Sequence, residues 1–456
     1  MTRKIAFLSA CAGYFMVILD TTALNTALPV LRADFDAGVA TLQWVVDGYA
    51  LTFAALLLTG GALGDRLGTR AVFRTGLVTF VAASGACGVA PTAAVLVAAR
   101  LVQGVGAALL VPTSLALLQA SFSEPAARAR AVGAWGGVAG VAAAGGPVVG
   151  GVLAGAVSWR AVFLVNVPIG LLAAILAGRH LPAPPARRER DLDVPGQVLA
   201  VLGLAALTLA LIDAGRTSVT APRVLGAFAA FLVALAAFLA VERRASSPVL
   251  PLRLFATPTL SAATVVGLLI NLGFYGQLFV INLLLQESRG LSPVQAGLAL
   301  LPEGVFVSLG SLLSGRLTGR AGSPRPTMLL GLALGAVGML GLAGAAPHAP
   351  YALLVAPMIA AGVGMSLTMP AATSAMVESA PRDRVGLASG VLNAARQVGG
   401  VIGVALLGTL VSGDLSGGLP QALGVSACAF AAAALVTLRW VGAAAHTSVR
   451  AEASPG

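Results

Sequence analysis

Three ionisable residues stand inside long apolar stretches of this 456-residue chain. Asp20 and Glu303 carry carboxyl groups, whereas Arg100 carries a charge that it cannot lose. A charge at the centre of a bilayer costs about 2.5–3.5 kcal/mol on insertion scales, so such residues are functional by default. A buried carboxyl group can take up and release a proton near neutral pH, and a neighbouring arginine favours the release. These residue types therefore indicate exchange of protons or of other cations.

Each of the three residues also has a structural interpretation. Asp20 could be satisfied by Thr21, by Thr22 or by a neighbouring helix. Glu303 could be an acid near the outer mouth that is exposed to water. Arg100 could form a structural ion pair or bond to main-chain carbonyl groups. The sequence leaves these alternatives open.

A polar stripe marks one face of the ninth apolar segment. From Asn271 to Gln286, the residues of this stripe follow one another at intervals of three and four positions, so they share one helix face. Polar residues in membrane helices face the bundle interior, where they either line a substrate cavity or bond across helices. The residues predicted to line the cavity are Asn25, Asn271, Tyr275, Asn282, Gln286, Asn393 and Arg396.

The composition indicates that lipid surrounds most of the chain. It is 58% hydrophobic and 10% charged, against about 25% charged in soluble proteins. Basic residues outnumber acidic ones, 28 to 17, which in a soluble chain would suggest nucleic acid. In a membrane protein the excess is explained by loop arginines that set the topology. We therefore expect a lipid bilayer, and no nucleic acid, as the partner.

A helix needs about 20 mostly apolar residues to cross a bilayer. Basic residues concentrate in alternate loops, which predicts an even number of spans with both termini in the cytoplasm. The predicted spans, fourteen in all, lie near residues 5–31, 42–63, 72–90, 93–118, 131–155, 160–179, 194–212, 223–241, 259–285, 294–315, 327–346, 350–376, 386–411 and 420–441.

A proline- and arginine-rich stretch after residue 180 is the longest polar interruption, so we place a boundary there. The predicted fold is an all-α membrane protein with two six-helix bundles and two extra central helices. Its parts are an N-terminal bundle (1–180), a cytoplasmic linker (181–193), two additional helices with a loop (194–257), a C-terminal bundle (258–441) and a cytoplasmic tail (442–456).

Asp47 lies at the outer start of the second span, beside Trp44 and Tyr49. Aromatic residues are enriched where helices leave the membrane. The sequence therefore predicts that Asp47 is an interfacial anchor.

The stretch from Gly61 to Arg70 has the pattern G-x-L-x-D-R-x-G-x-R between two apolar segments. It resembles the signature loop between helices 2 and 3 of the major facilitator superfamily. A bare topology signal is the alternative. The resemblance implies a cytoplasmic gating loop, whose predicted residues are Gly61, Gly64, Asp65, Arg66, Gly68, Arg70 and, after the fourth span, Arg130.

Four other stretches are similar to motifs of the fourteen-span drug:proton antiporters in that superfamily. Residues 19–29, 100–107 and 158–170 resemble the motifs of the first span, the fourth span and the turn into the sixth. Residues 140–151 resemble the fifth-span antiporter motif, although close helix packing alone would explain its glycines. The motif residues are Gly140, Gly146, Pro147, Gly150 and Gly151.

The resemblance implies a proton-coupled exporter of small amphipathic or cationic compounds, such as drugs or antibiotics. An importer on the same fold is the alternative, and a membrane sensor or a membrane-embedded enzyme is a weaker one. All three histidines lie outside the apolar segments and no phosphate-binding loop or metal-ligand spacing occurs, so we expect no enzyme activity, no metal and no cofactor except protons. We expect a monomer in the bacterial cell membrane.

Overall fold

The computed structural model describes residues 2–122, 124–180, 193–245, 248–345, 349–380 and 385–442. Regular structure in these residues is helical, with one 3-10 helix at Leu252–Ala256 and one π-helical turn at Leu284–Ser288. The α-helices are α1 (Thr2–Asp34), α2 (Val39–Leu67), α3 (Thr69–Gly88), α4 (Ala93–Ser121), α5 (Pro125–Ala156), α6 (Trp159–Leu164), α7 (Asn166–His180), α8 (Val194–Arg216), α9 (Pro222–Glu242), α10 (Pro258–Leu283), α11 (Pro293–Ala321), α12 (Pro324–Ala345), α13 (Tyr351–Ser379), α14 (Val385–Val411) and α15 (Leu415–Trp440).

Thirteen helices in the described residues are long and apolar enough to cross a membrane. The remaining predicted span, 160–179, is not one continuous helix, because α6 ends at Leu164 and α7 begins at Asn166. Pro168 explains the break, since it has no N–H to donate to the carbonyl group of Leu164 one turn earlier. The all-α, multi-span architecture is confirmed, with the sixth span divided.

The helices form two groups that meet along two seams. In the first group, α1 packs against α4, α5 and α7. Helices α2 and α3 both pack against α4, and α3 also packs against α7. In the second, α10 packs against α13, α14 and α15, while α12 contacts α13 and α15. The seams between the groups are α5 with α11 and α2 with α14. The domain boundaries remain predictions, because most of the linker lies outside the described residues.

The extra helix α8 lies over the seam between α2 and α14. Gln197 of α8 bonds to Thr59 and donates to the carbonyl group of Ala55 at 2.6 Å, which ties one end of α8 to α2. Towards its other end, Thr409 of α14 donates to the carbonyl group of Leu211 at 2.6 Å. The helix α8 therefore joins the two groups as well as adding a span.

The predicted loop between the second and third spans is a single residue. Gly68 ends α2 and begins α3 with φ 94°, a backbone conformation that side chains disfavour. Gly61, Gly64 and Asp65 consequently lie on the last turns of α2 and not in a loop. The motif is a sharp helix–helix corner.

Gly68→Ala is expected to lower the free energy of unfolding by about 1–3 kcal/mol, because alanine must adopt the same strained φ. Gly61→Ala is the matched control, since its Cβ would meet only Pro112 of α4, at an ordinary 3.7 Å. Unfolding experiments on the purified variants in detergent measure the free energy of unfolding of each. Equal stability of the two variants would contradict the argument from φ.

Candidate functional site

Asp20 of α1 and Arg100 of α4 form a buried ion pair in the first helix group. Each residue is 1% exposed. The Arg100 guanidinium donates to Asp20 Oδ2, and its Nε donates to the carbonyl group of Val45 at 3.0 Å. Both charges are therefore shielded from lipid, and each has a partner of the other sign.

Two amide side chains complete the coordination of the Asp20 carboxylate. Gln103 donates to Asp20 Oδ1 at 2.9 Å and to Ser84 Oγ at 2.8 Å, and it accepts from Arg100 at 2.7 Å. Asn166 donates to the same Asp20 oxygen at 3.2 Å. The network around this one carboxylate thus draws on four helices. Thr21 and Thr22, the local partners considered from the sequence, bond instead to carbonyl groups.

Neither Gln103 nor Asn166 is among the predicted site residues. Both are amides inside apolar segments, which is the same signal that identifies Asp20. Their neutral side chains cost less to bury, so this signal is weaker for them. Only the fold shows that they converge on one atom.

Aromatic rings cover the guanidinium of the pair. The Arg100 Cζ atom lies 4.2 Å from the centre of the Tyr49 ring and 5.7 Å from that of Phe163. A ring face attracts a desolvated cation electrostatically. Tyr49 also lies near Tyr275 of the second helix group.

Glu303 of α11 is a buried acid that forms no ion pair with a residue that the structure describes. It is 2% exposed, so the alternative of an acid in contact with water is wrong in this conformation. Gln277 of α10 approaches Glu303 Oε2 at 3.4 Å, and Oε1 has no hydrogen-bond partner in the described residues. Gly362 of α13 leaves room for the Glu303 side chain, because a Cβ there would lie 3.0 Å from Glu303 Cγ.

Asp47 is not an interfacial anchor, because it is 0% exposed and neither carboxylate oxygen has a partner in the described residues. One turn earlier, Gln43 donates to the carbonyl group of Ala405 in α14 at 2.7 Å. One turn later, Leu51 packs with Leu204 of α8 and Val401 of α14. The sequence prediction is wrong because the extra helix α8 covers this end of α2.

Three residues of the predicted cavity instead join α1 to α10 and to the π-helical turn that follows it. Asn282 donates to the carbonyl group of Asn25, and Gln286 donates to that of Thr26 at 3.0 Å and to Asn282 Oδ1 at 3.0 Å. We call Asn282 and Gln286 the amide latch. The cavity prediction requires correction for Asn25, Asn282 and Gln286, which are buried in contacts between helices. Asn271 is also buried, where it donates to the carbonyl group of Gly267 at 2.7 Å.

The other predicted cavity residues are not fully buried, and together with Tyr14 and Trp135 they form the group that we call the chamber. Tyr275 of α10 and Arg396 of α14 are partly exposed, and Asn393 is exposed and accepts from Arg396 Nη1 at 3.0 Å. In the first helix group, the rings of Tyr14 of α1 and Trp135 of α5 stack with centres 3.8 Å apart and planes 8° apart. The chamber is therefore lined by aromatic rings and a cation. Tyr14 and Trp135 are not among the predicted residues.

The fifth-span motif contacts both helix groups. A Cβ at Gly146 or Gly150 would overlap α1 at Thr22 or at the carbonyl group of Ala23. A Cβ at Gly151 would overlap the carbonyl group of Pro293 in α11. The Pro147 carbonyl oxygen closely approaches Gly297 of α11, whereas Gly140 has ordinary space, with Ser308 Oγ 4.0 Å from its Cβ position. Glycine in the second half of α5 thus permits the closest contacts.

The charged residues of the gating motif lie at the surface of the helix–helix corner. Asp65 and Arg130 are exposed, and Asp65 forms no ion pair with a residue that the structure describes. Arg66 and Arg70 are partly exposed. Gly64 packs against α4, where a Cβ would lie 2.9 Å from Thr113 Cγ2. The gating role of these residues therefore remains a prediction.

A family model described as the Major Facilitator Superfamily matches residues 10–280 and 263–456. The chain belongs to this superfamily. It is thus a member of a family of multi-pass membrane transporters, as the motifs indicated. Transport of small molecules in a lipid bilayer follows at the family level.

The chain is similar over most of its length to several resistance proteins. It is 37% identical over 442 residues to the methylenomycin A resistance protein of Bacillus subtilis (strain 168), covering 96% of this chain and 94% of that protein. It is 36% identical over 416 residues to the tetracenomycin C resistance and export protein of Streptomyces glaucescens, covering 91% of this chain and 77% of that protein.

Solved structures support the fold alone. A D-xylose–proton symporter superposes with a TM-score of 0.67 at 17% identity, covering 96% of this chain and 97% of the other. A POT family transporter gives the same TM-score at 14% identity, covering 96% and 94%. The helix arrangement of the transporter is therefore that of the superfamily.

Proposed function

We propose that this transporter is a proton-driven exporter of small amphipathic compounds in the bacterial cell membrane, working by alternating access. The buried Asp20–Arg100 pair carries the proposal. Placing charged groups inside a membrane helix bundle costs free energy, and a role in proton exchange explains why such a pair is present. The direction is supported by relatives whose names include export, such as the cephamycin export protein CmcT of Amycolatopsis lactamdurans, which is 38% identical over 427 residues, covering 91% of this chain and 86% of that protein.

The exchange centres on the Asp20 carboxylate. In the paired form Asp20 is an acceptor for Arg100, Gln103 and Asn166. A proton on Asp20 cancels the charge that Arg100 balances, so the guanidinium must find another acceptor. Tyr49 touches the guanidinium and lies near Tyr275 of the second helix group, so Tyr49 is placed to carry a movement of Arg100 towards that group.

Contacts at the C-terminal end of α1 support a closed outer side. The amide latch lies there, and Arg32 of α1 forms an ion pair with Glu287 in the π-helical turn after α10. If the N-terminus is cytoplasmic, this end of α1 faces outwards. The latch, the ion pair and the close contact of α5 with Pro293 then separate the chamber from the outside.

The glycines towards the opposite ends of α5 and α11 face open space. At Gly133, Gly136 and Gly137 of α5, no atom of another element in the described chain lies within 4 Å of a Cβ position. The same holds at Gly315 and Gly319 of α11. A seam that is tight at one end and open at the other is what an inward-facing state of an alternating-access transporter requires.

The energy source follows from the site. One proton moving inwards across 100 mV releases about 2.3 kcal/mol, to which a pH gradient adds. Alternating access couples that release to outward movement of the substrate, provided that the transporter changes state only with either a proton or a substrate bound. The monomer contains both helix groups and the chamber, so one chain is sufficient for this cycle.

Transport into everted membrane vesicles tests the function. Tetracenomycin C, a cephamycin and ethidium are the probes, and vesicles lacking the transporter are the control. An acidic vesicle lumen is expected to drive at least one probe inwards, and a protonophore should abolish this uptake. Accumulation only under the reversed gradient would support the importer, and gradient-independent behaviour would contradict proton coupling.

A further inference from the structure

Arg396 carries a positive charge in the chamber without an acidic partner. It forms no ion pair with any residue that the structure describes, and its Nε has no hydrogen-bond partner there. Its one described hydrogen bond goes to the neutral Asn393. A guanidinium keeps its charge when it is desolvated, so this cation is available to a ligand.

The elements around Arg396 supply aromatic groups and no carboxylate in the described residues. Tyr275 of α10 lies beside Arg396, since a Cβ at Gly400, one turn further along α14, would lie 3.5 Å from the Tyr275 ring. Tyr14 of α1 also lies near Arg396, and Trp135 of α5 stacks on Tyr14. A Cβ at Gly267 of α10 would lie 3.3 Å from Arg396 Cγ, so the absence of a side chain at Gly267 leaves room for the aliphatic part of Arg396. Each tyrosine hydroxyl group can donate or accept a hydrogen bond.

The buried acids of α1, α2 and α11 lie against residues other than Arg396. Asp20 is neutralised by Arg100. Glu303 lies between α11, Gln277 of α10 and Gly362 of α13, and Asp47 lies where α2 meets α8 and α14. The chamber therefore has an excess positive charge, which attracts anions and repels cations.

We propose that the chamber binds an aromatic or planar organic acid, whose carboxylate pairs with Arg396 and whose ring contacts the Tyr14–Trp135 stack. This inference rests on the proposed function, since it makes the chamber the transport site. An arginine fork binds a carboxylate through two parallel hydrogen bonds, and Asn393 holds one edge of the fork. An apolar ring on the other side gains contact area with the stacked aromatic rings.

The charge of the substrate also determines the electrical character of transport. Exchange of one organic anion outwards for one proton inwards moves two charges in the same direction. Exchange of a neutral compound moves one charge, and exchange of a monovalent cation moves none. Export of the preferred substrate should therefore respond strongly to the membrane potential.

Equilibrium binding to the full-length transporter in nanodiscs tests the inference. The probes are 1-naphthylacetate and its neutral counterpart 1-naphthylacetamide, which have nearly the same shape. The wild type is expected to bind the carboxylate at least about tenfold more tightly than the amide, because a hydrogen bond between two charged groups is stronger than one to a neutral group. Arg396→Gln should remove this preference without weakening amide binding, and Arg396→Lys should retain part of it.

Arg253→Gln is the matched control, because Arg253 is exposed on the 3-10 helix that precedes α10. It should bind both probes like the wild type. Equal binding of the two probes by the wild type, absence of carboxylate binding, or an unchanged preference in Arg396→Gln would overturn the inference. Carboxylate preference without proton-driven uptake in vesicles would instead retain the inference and contradict the exporter.

Discussion

Arg100→Gln is expected to lower the free energy of unfolding by about 3–5 kcal/mol, because it leaves the Asp20 carboxylate buried without its counter-charge. Gln103 and Asn166 would still donate to Asp20, but neutral donors do not replace a cation. Unfolding of the purified protein by increasing concentrations of a denaturing detergent provides the measurement. Export should be lost as well, because the exchange proposed for Asp20 requires the Arg100 counter-charge.

Arg160→Gln is the matched control for that prediction. Arg160 forms an ion pair with Asp34 at 3.1 Å, but their side chains are 39% and 45% exposed. Such exposed pairs contribute about 1 kcal/mol or less. The double variant Asp20→Asn with Arg100→Gln should recover part of the stability, since no acid is left uncompensated. A loss in Arg100→Gln no greater than that in Arg160→Gln would contradict the role assigned to burial.

Gly150→Ala is expected to separate α1 from α5 and to abolish export. Its Cβ would overlap the carbonyl group of Ala23 and lie 2.6 Å from Thr26 Oγ1. A backbone atom cannot move aside as a flexible side chain can, so the cost is about 1–3 kcal/mol or more. Because the Thr26 carbonyl group also accepts from Gln286 of the amide latch, the outer closure should weaken too. Resistance assays together with thermal unfolding check both effects.

Gly145→Ala provides the control on the same helix. No described atom outside the immediate helix backbone lies within 4 Å of a Cβ at Gly145. Alanine also favours a helix by about 1 kcal/mol over glycine. This variant should therefore be at least as stable as the wild type and should export normally. If the two glycine variants behaved alike, close packing would not explain the motif.

Much of the fold follows from hydropathy and loop charge. A span of about 20 apolar residues has few alternatives to a helix, because lipid cannot satisfy backbone groups. The break before Asn166 was accessible from Pro168, but a proline in a membrane helix often bends it without ending it. The one-residue corner at Gly68 depends on a backbone conformation that hydropathy does not report.

The candidate site, like the fold, could be predicted only in part from the sequence. Asp20 and Arg100 are recognisable because a charge in an apolar segment is costly, whereas their pairing across 80 residues requires the fold. Asp47 was misinterpreted because its burial depends on α8, which is distant in the sequence. The polar stripe on α10 predicts which residues share a face, but the pairing of Asn282 and Gln286 with α1 depends on how the two helix groups meet.

Proton coupling through Asp20 is the central claim, and Asp20→Asn in proteoliposomes tests it most directly. Asparagine keeps the shape of the side chain but cannot carry a proton between the two sides. A pH-sensitive dye inside the vesicles reports proton movement, and a labelled substrate on both sides reports exchange without a gradient. The account predicts that Asp20→Asn retains substrate exchange and loses substrate-dependent proton flux. Substrate-dependent proton flux at the wild-type rate in Asp20→Asn would contradict it.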